Sequence, residues 1–244
     1  MLITVFQLIT EEFLENTAAI RSLIVTLSDI NRNPVKVRIA AANSATLLVS
    51  ATFEEFIREM AREYAKTVVS RVCSVEDLPP KMVSVAWKRT MDGLSKIKFD
   101  GDMLKNNISN VFGVAQARFS VIHDFCRGDL SQDIYRDLIH NENNMRPNEL
   151  NGLFKVSGLG DVCAKLSDKA PILQFFGEIE AGKTHGKLIL HLEDFFERRN
   201  TIAHALNIGQ SSSPDRIVTD LDMLESFAAS LRETLDNLSP GPTD

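Results

Sequence analysis

The chain has 244 residues, 44% hydrophobic and 25% charged, the proportions of a soluble globular protein with apolar material for one large domain or two small ones. A net charge of −6 excludes a general nucleic-acid binder with a broad basic face, while leaving room for a small basic cleft on an acidic background. Fourteen Phe against one Trp and two Tyr point to core packing and away from an aromatic platform for stacking single-stranded bases.

The cysteines, Cys73, Cys126 and Cys163, are odd in number and widely spaced. That pattern fits a reducing compartment and neither a disulfide scaffold nor a zinc site. No run approaches the ~20 apolar residues that a bilayer span needs, so no membrane partner is expected. The apolar start, Met1 to Thr10, has no basic leader and runs into Glu11-Glu12, which does not read as a signal peptide. The expected location is cytoplasmic.

Phe6, Ile9, Phe13, Asn16, Ile20, Leu23, Leu27 and Ile30 recur at steps of three and four. They predict a helix of about seven turns with a narrow apolar seam, facing a core or a dimer partner, with Asn16 as a polar residue that fixes register. Asn33-Pro34 ends it. A long helix is predicted over 35–74, stopped by Leu78-Pro79-Pro80.

The middle, 81–168, reads as several shorter helices punctuated by glycines from Gly93 to Gly160. Ser131 is placed as the N-cap of a helix over 132–140. Pro147 opens another helix, and Gly158 closes it. A glycine- and serine-rich loop is expected over 205–214. Thr219 then caps a last helix with a seam of Leu221, Leu224, Ala228, Leu231, Leu235 and Leu238, and 239–244 form a polar tail. Strand-like alternation is nearly absent, so the predicted fold class is all-α.

Two segments carry chemistry. Gly177-Glu178-Ile179-Glu180-Ala181-Gly182-Lys183-Thr184 fits the P-loop pattern after a short apolar run, 172–176. Against it stand two glutamates inside what would be an anion nest and the lack of a surrounding series of strands and helices. An NTPase using Gly177 to Thr184 is therefore the weaker reading. His123, Asp124, His140 and the set His191, Glu193, Asp194 lack metal-ligand spacing, so no metal and no cofactor are expected.

The second segment is Glu197-Arg198-Arg199-Asn200-Thr201-Ile202-Ala203-His204. Arginine grips phosphate with a planar fork, and histidine is suited to proton transfer near neutral pH. These are the parts needed to cleave RNA without a metal. Asn200 and His204 share a helix face, whereas Arg199, five residues before His204, points about 140° away from it on a straight helix. The bland alternative is a surface arginine and a histidine capping a helix C-terminus.

The string Arg-Asn-x-Ile-Ala-His resembles the closing signature of HEPN ribonucleases. The pair Phe53-Glu54 resembles the aromatic-Glu pair of the RiboL-PSP type, with an i,i+4 salt bridge from Glu54 to Arg58 as the plain reading. Asn148-Glu149-Leu150-Asn151-Gly152-Leu153-Phe154 is similar to the insert these proteins carry before the motif helix.

The resemblance implies one HEPN-like helical domain over 1–244, with extra helices inserted around 80–180. It implies a metal-independent endoribonuclease, a toxin or phage-defence effector, that leaves 2′,3′-cyclic phosphate ends. His204 and Arg199 would be catalytic, with Asn200 orienting the histidine or a phosphate oxygen and Glu54 supporting. Arg198 and Lys187, in the basic neighbourhood of the motif, are the candidate substrate-binding residues. Implied partners are RNA, a second copy of the chain lining a shared cleft, and an antitoxin or defence-system protein. A non-catalytic HEPN-like adaptor is the rival from another class.

Overall fold

The computed structural model describes residues 3–29, 32–97, 101–140, 143–204 and 212–239, with the side chains of 101–110 excepted. The described residues form ten α-helices: α1 (Val5–Leu27), α2 (Val35–Val69), α3 (Pro80–Ser95), α4 (Gly101–Cys126), α5 (Tyr135–Leu138), α6 (Pro147–Lys155), α7 (Val162–Leu166), α8 (Ala170–Phe176), α9 (Ala181–His204) and α10 (Pro214–Leu238). A 3-10 turn, Val75–Asp77, follows α2, and no strand occurs among the described residues. The fold is all-α. No described helix is long and apolar enough to cross a membrane.

The chain divides into two compact units: Met1–Met60 with Asn143–Gly152 and Gly160–Asp244, and Ala61–Glu142 with Leu153–Leu159. In the first, the core forms around Phe53. Its ring lies 5.4 Å edge-on from Phe227 of α10, 6.3 Å from Phe13 of α1 and 6.4 Å from Phe196 of α9. α10 is deeply embedded, with Leu221, Leu224, Phe227, Leu231 and Leu235 all buried. α1 packs along it, and Arg21 reaches across to Asp222 (2.8 Å) and Glu225 (3.1 Å). In the second unit, α3 packs on α4 and α5 over Met82, Ala86, Ile122, Phe125 and Leu138. Asp137 ties them together by accepting from Arg118 of α4 and Thr90 of α3.

Several elements depart from the sequence expectation for physical reasons. The buried stripe of α1 is Phe6, Thr10, Phe13, Thr17, Ile20 and Ile24, and Asn16 is exposed. Thr10 and Thr17 enter the core because their hydroxyls donate to the carbonyls of Phe6 and Leu14. Ile30 lies outside the described residues. α2 stops at Val69, five residues short of 74. α4 runs through Gly113, since one glycine costs only ~1 kcal/mol in a helix interior. Ser131 sits in a turn organised by Asp129, which accepts from its backbone N–H, its hydroxyl and Gln132, so the helix beyond shrinks to Tyr135–Leu138. The final helix begins earlier than Thr219: Ser213 caps it by accepting from the Arg216 N–H, with Pro214 in first position. The loop expected over 205–214 falls mostly on residues outside those described, as does most of the polar tail.

Candidate functional site

α9 carries a core stripe of Leu188, Leu192 and Phe195, with Phe196 beside it, all buried. The next position on that stripe, seven after Leu192 and four after Phe195, is Arg199. The guanidinium therefore stands where the core would continue, and it is half-buried against α2. Its Nε donates to Ser50 Oγ at 3.4 Å. One turn further along α2, Glu54 lies within reach of the Arg199 charge and is only 12% exposed in its side chain.

Burial pushes the Glu54 carboxyl above its ordinary value, and the positive charges of Arg199 and Arg58 oppose that rise without cancelling it. Its Oε1 is buried without a hydrogen-bond partner. The Arg58 contact read from the i,i+4 spacing is present, but long, at 3.9 Å. The shorter Arg58 bond, 2.9 Å, goes to Glu55.

A second stripe on α9, Glu193, Glu197, Asn200 and His204, meets the segment leading into α6. Arg146 donates to Glu193 (2.7 Å) and to Glu197 (2.6 Å). Asn144 Nδ2 donates to Asn200 Oδ1 at 2.6 Å, and Arg199 Nη1 donates to the same oxygen at 3.3 Å. His204 ends the stripe as the last residue of α9 and is exposed. α9 is helical through to His204, so Arg199 and His204 keep their ~140° divergence and a rise of about 7.5 Å between them. The fold unites Arg199, Asn200, Glu54 and Ser50, and leaves His204 facing solvent.

Arg198 has a different setting. Its fork spans Asp220 of α10 at 2.9 Å from each terminal nitrogen, Nη1 also reaches Ser212 at 3.1 Å, and Nε donates to Asp194 at 2.9 Å. Asp220 is 1% exposed in its side chain and also meets His191 Nε2 at 3.1 Å. Burial works against the Arg198 charge, and the bonds and charges of Asp220 and Asp194 together outweigh it, holding the guanidinium above its ordinary value.

Lys187 pairs with Glu178 at 2.5 Å. It is 17 residues before His204, about 25 Å along the helix. The P-loop pattern falls on a helix–helix turn: Gly177 caps α8 in the left-handed region (φ 60°), and Lys183 pairs with Glu180. The apolar run at 172–176 is part of α8, not a strand. Among the described residues no cluster of His, Cys, Asp or Glu could hold a metal ion.

Ser50, Asn144, Arg146 and Asp220 were not flagged by the sequence. Ser50 had one weak signal, a small polar residue one turn before Glu54. The others meet α9 only through tertiary structure. The chain matches the family RiboL-PSP-HEPN over residues 11–237, nearly its whole length. It is a RiboL-PSP-HEPN protein. No curated protein and no solved structure matches it. The resemblance carried by Arg199 to His204 and by Phe53-Glu54 thus extends across the HEPN chain, and domains of this kind are often ribonucleases.

Proposed function

We propose that this HEPN chain is a metal-independent endoribonuclease whose chemistry rests on Arg199 and His204. The observation that carries the reading is the placement of Arg199: a permanent cation on a core stripe, held by Ser50 and Asn200 beside the half-buried Glu54. A cation placed there before substrate arrives needs little reorganisation to stabilise charge building on a phosphoryl group. His204 is open to solvent and free to exchange protons with the ribose 2′-OH or the leaving 5′-oxygen. The 2′-oxygen attacks phosphorus, the P–O5′ bond breaks, and the products are a 2′,3′-cyclic phosphate and a 5′-hydroxyl.

Lys187 and Arg198 have carboxylate partners of their own, so substrate charge falls chiefly to Arg199. Because Arg199 and His204 diverge on one helix, a second copy related by a two-fold axis would bring another pair to the same cleft. By analogy with the family, the cellular role is that of a toxin or phage-defence effector restrained by a partner protein.

The test is incubation of purified protein with a defined RNA in EDTA, followed by a denaturing gel and analysis of the ends. Cleavage with cyclic phosphate ends is expected. A strict magnesium requirement would replace this mechanism with metal-assisted chemistry, and intact RNA would favour the adaptor.

A further inference from the structure

Asn200 Oδ1 lies 3.3 Å from Arg199 Nη1, and a guanidinium can only donate. The Asn200 atom facing it must therefore be the oxygen, which fixes which way round the amide sits. Asn144, at 2.6 Å from the same atom, must then present its nitrogen. Two donors on Oδ1 leave Nδ2 on the other edge of the amide, on a half-buried residue one turn before the exposed His204.

We propose that Asn200 is a donor to an anionic oxygen of the substrate phosphate, and that Asn144 is the positioning residue that sets the polarity of its amide. This rests on the ribonuclease reading and decides between the two roles open to Asn200. An amide N–H on a phosphate oxygen is a charge-assisted bond, stronger than a neutral one. An amide turned the other way would set its oxygen against the phosphate and repel it. The segment carrying Asn144 is itself anchored to α9 by the Arg146 bonds to Glu193 and Glu197, so the polarity is set by a fixed neighbour.

The experiment uses full-length protein, RNA cleavage rates, thermal midpoints, and anisotropy with a labelled 2′-O-methyl RNA that cannot be cut. Asn200→Asp keeps the acceptor for Asn144 and Arg199 but loses the donor. Probe affinity and cleavage should fall roughly 10- to 100-fold, the scale of a hydrogen bond to a charged group. Asn144→Ala removes one of two constraints and should cost about 3- to 10-fold in both.

Asn144→Asp should cost more than Asn144→Ala, because an acceptor there turns the Asn200 amide round. In an Asn200→Ala background the same Asp substitution should have no further effect, whereas a bare through-space charge would still act. A parent protein that neither binds nor cuts RNA removes the ribonuclease reading and this inference with it. A parent that cuts while Asn200→Asp and Asn144→Ala match it at unchanged midpoint overturns this inference alone. Persistence of the Asp effect in the Asn200→Ala background also overturns it.

Discussion

Removing the carboxylate of Asp220 strands Arg198. That carboxylate is 1% exposed and takes both terminal nitrogens of Arg198 at 2.9 Å, with His191 at 3.1 Å and Arg216 Nε at 3.6 Å. Breaking a buried pair from one side leaves an uncompensated charge and costs about 3–5 kcal/mol. Arg198 is 22% exposed in its side chain and keeps Asp194, so Asp220→Ala should fall near the lower end, about 3 kcal/mol. Replacing Asp220 and Arg198 together by leucine removes both charges, and the double variant should be more stable than the sum of the single effects by about 2 kcal/mol or more. Urea unfolding at neutral pH, with each unit's transition followed separately, measures Asp220→Ala, the Asp220→Leu and Arg198→Leu single variants and the double variant. A loss below about 1 kcal/mol for Asp220→Ala, the range of an exposed salt bridge, or strict additivity in the double variant, would refute the claim that this pair locks α9 to α10.

Glu54→Gln should change the pH dependence of stability. The folded carboxyl titrates above its ordinary 4.5 because burial outweighs Arg199 and Arg58. The folded state then binds more protons than the unfolded state above 4.5, so the carboxyl disfavours folding as pH rises through the folded value. The variant should match the parent near pH 4 and gain on it toward pH 7, and a gap that shrinks with rising pH would contradict this sign. Thiol labelling at pH 8 should modify exposed Cys73 quickly and spare Cys163, which is buried with its thiol pushed up to about 12. Labelling of Cys163 as fast as Cys73 in native protein would contradict its burial. Phe53→Ala should cost about 3–5 kcal/mol, because the ring is fully buried among Phe13, Phe196 and Phe227. A midpoint in urea within error of the parent would count against that core.

The helical class was legible because apolar residues recur at steps of three and four. Phase was harder to read. A seam template selects Asn16 in α1, yet Thr10 and Thr17 are the buried polar positions, since a threonine hydroxyl can donate to its own helix and no hydropathy pattern marks that. Arg199, Asn200 and His204 were legible because they are contiguous and chemically unusual. Their surroundings were not, because Ser50 and Asn144 lie 149 and 56 residues from their partners in sequence. The basic neighbourhood read around the motif also omitted its own counter-charges: Asp194 and Asp220 hold Arg198, and Glu178 holds Lys187.

The central claim is tested most directly by single-turnover cleavage of one labelled RNA in EDTA, comparing the parent with Arg199→Ala and His204→Ala. The parent should cut. His204→Ala should fall by ~10²- to 10⁴-fold, the usual contribution of a general acid–base group, at an unchanged thermal midpoint, since His204 is exposed and ends its helix; Arg199→Ala should fall by ~10²- to 10³-fold through lost charge stabilisation. Variants that cut at the parent's rate would contradict the assignment of the site, and a parent that leaves the RNA intact would contradict the activity itself.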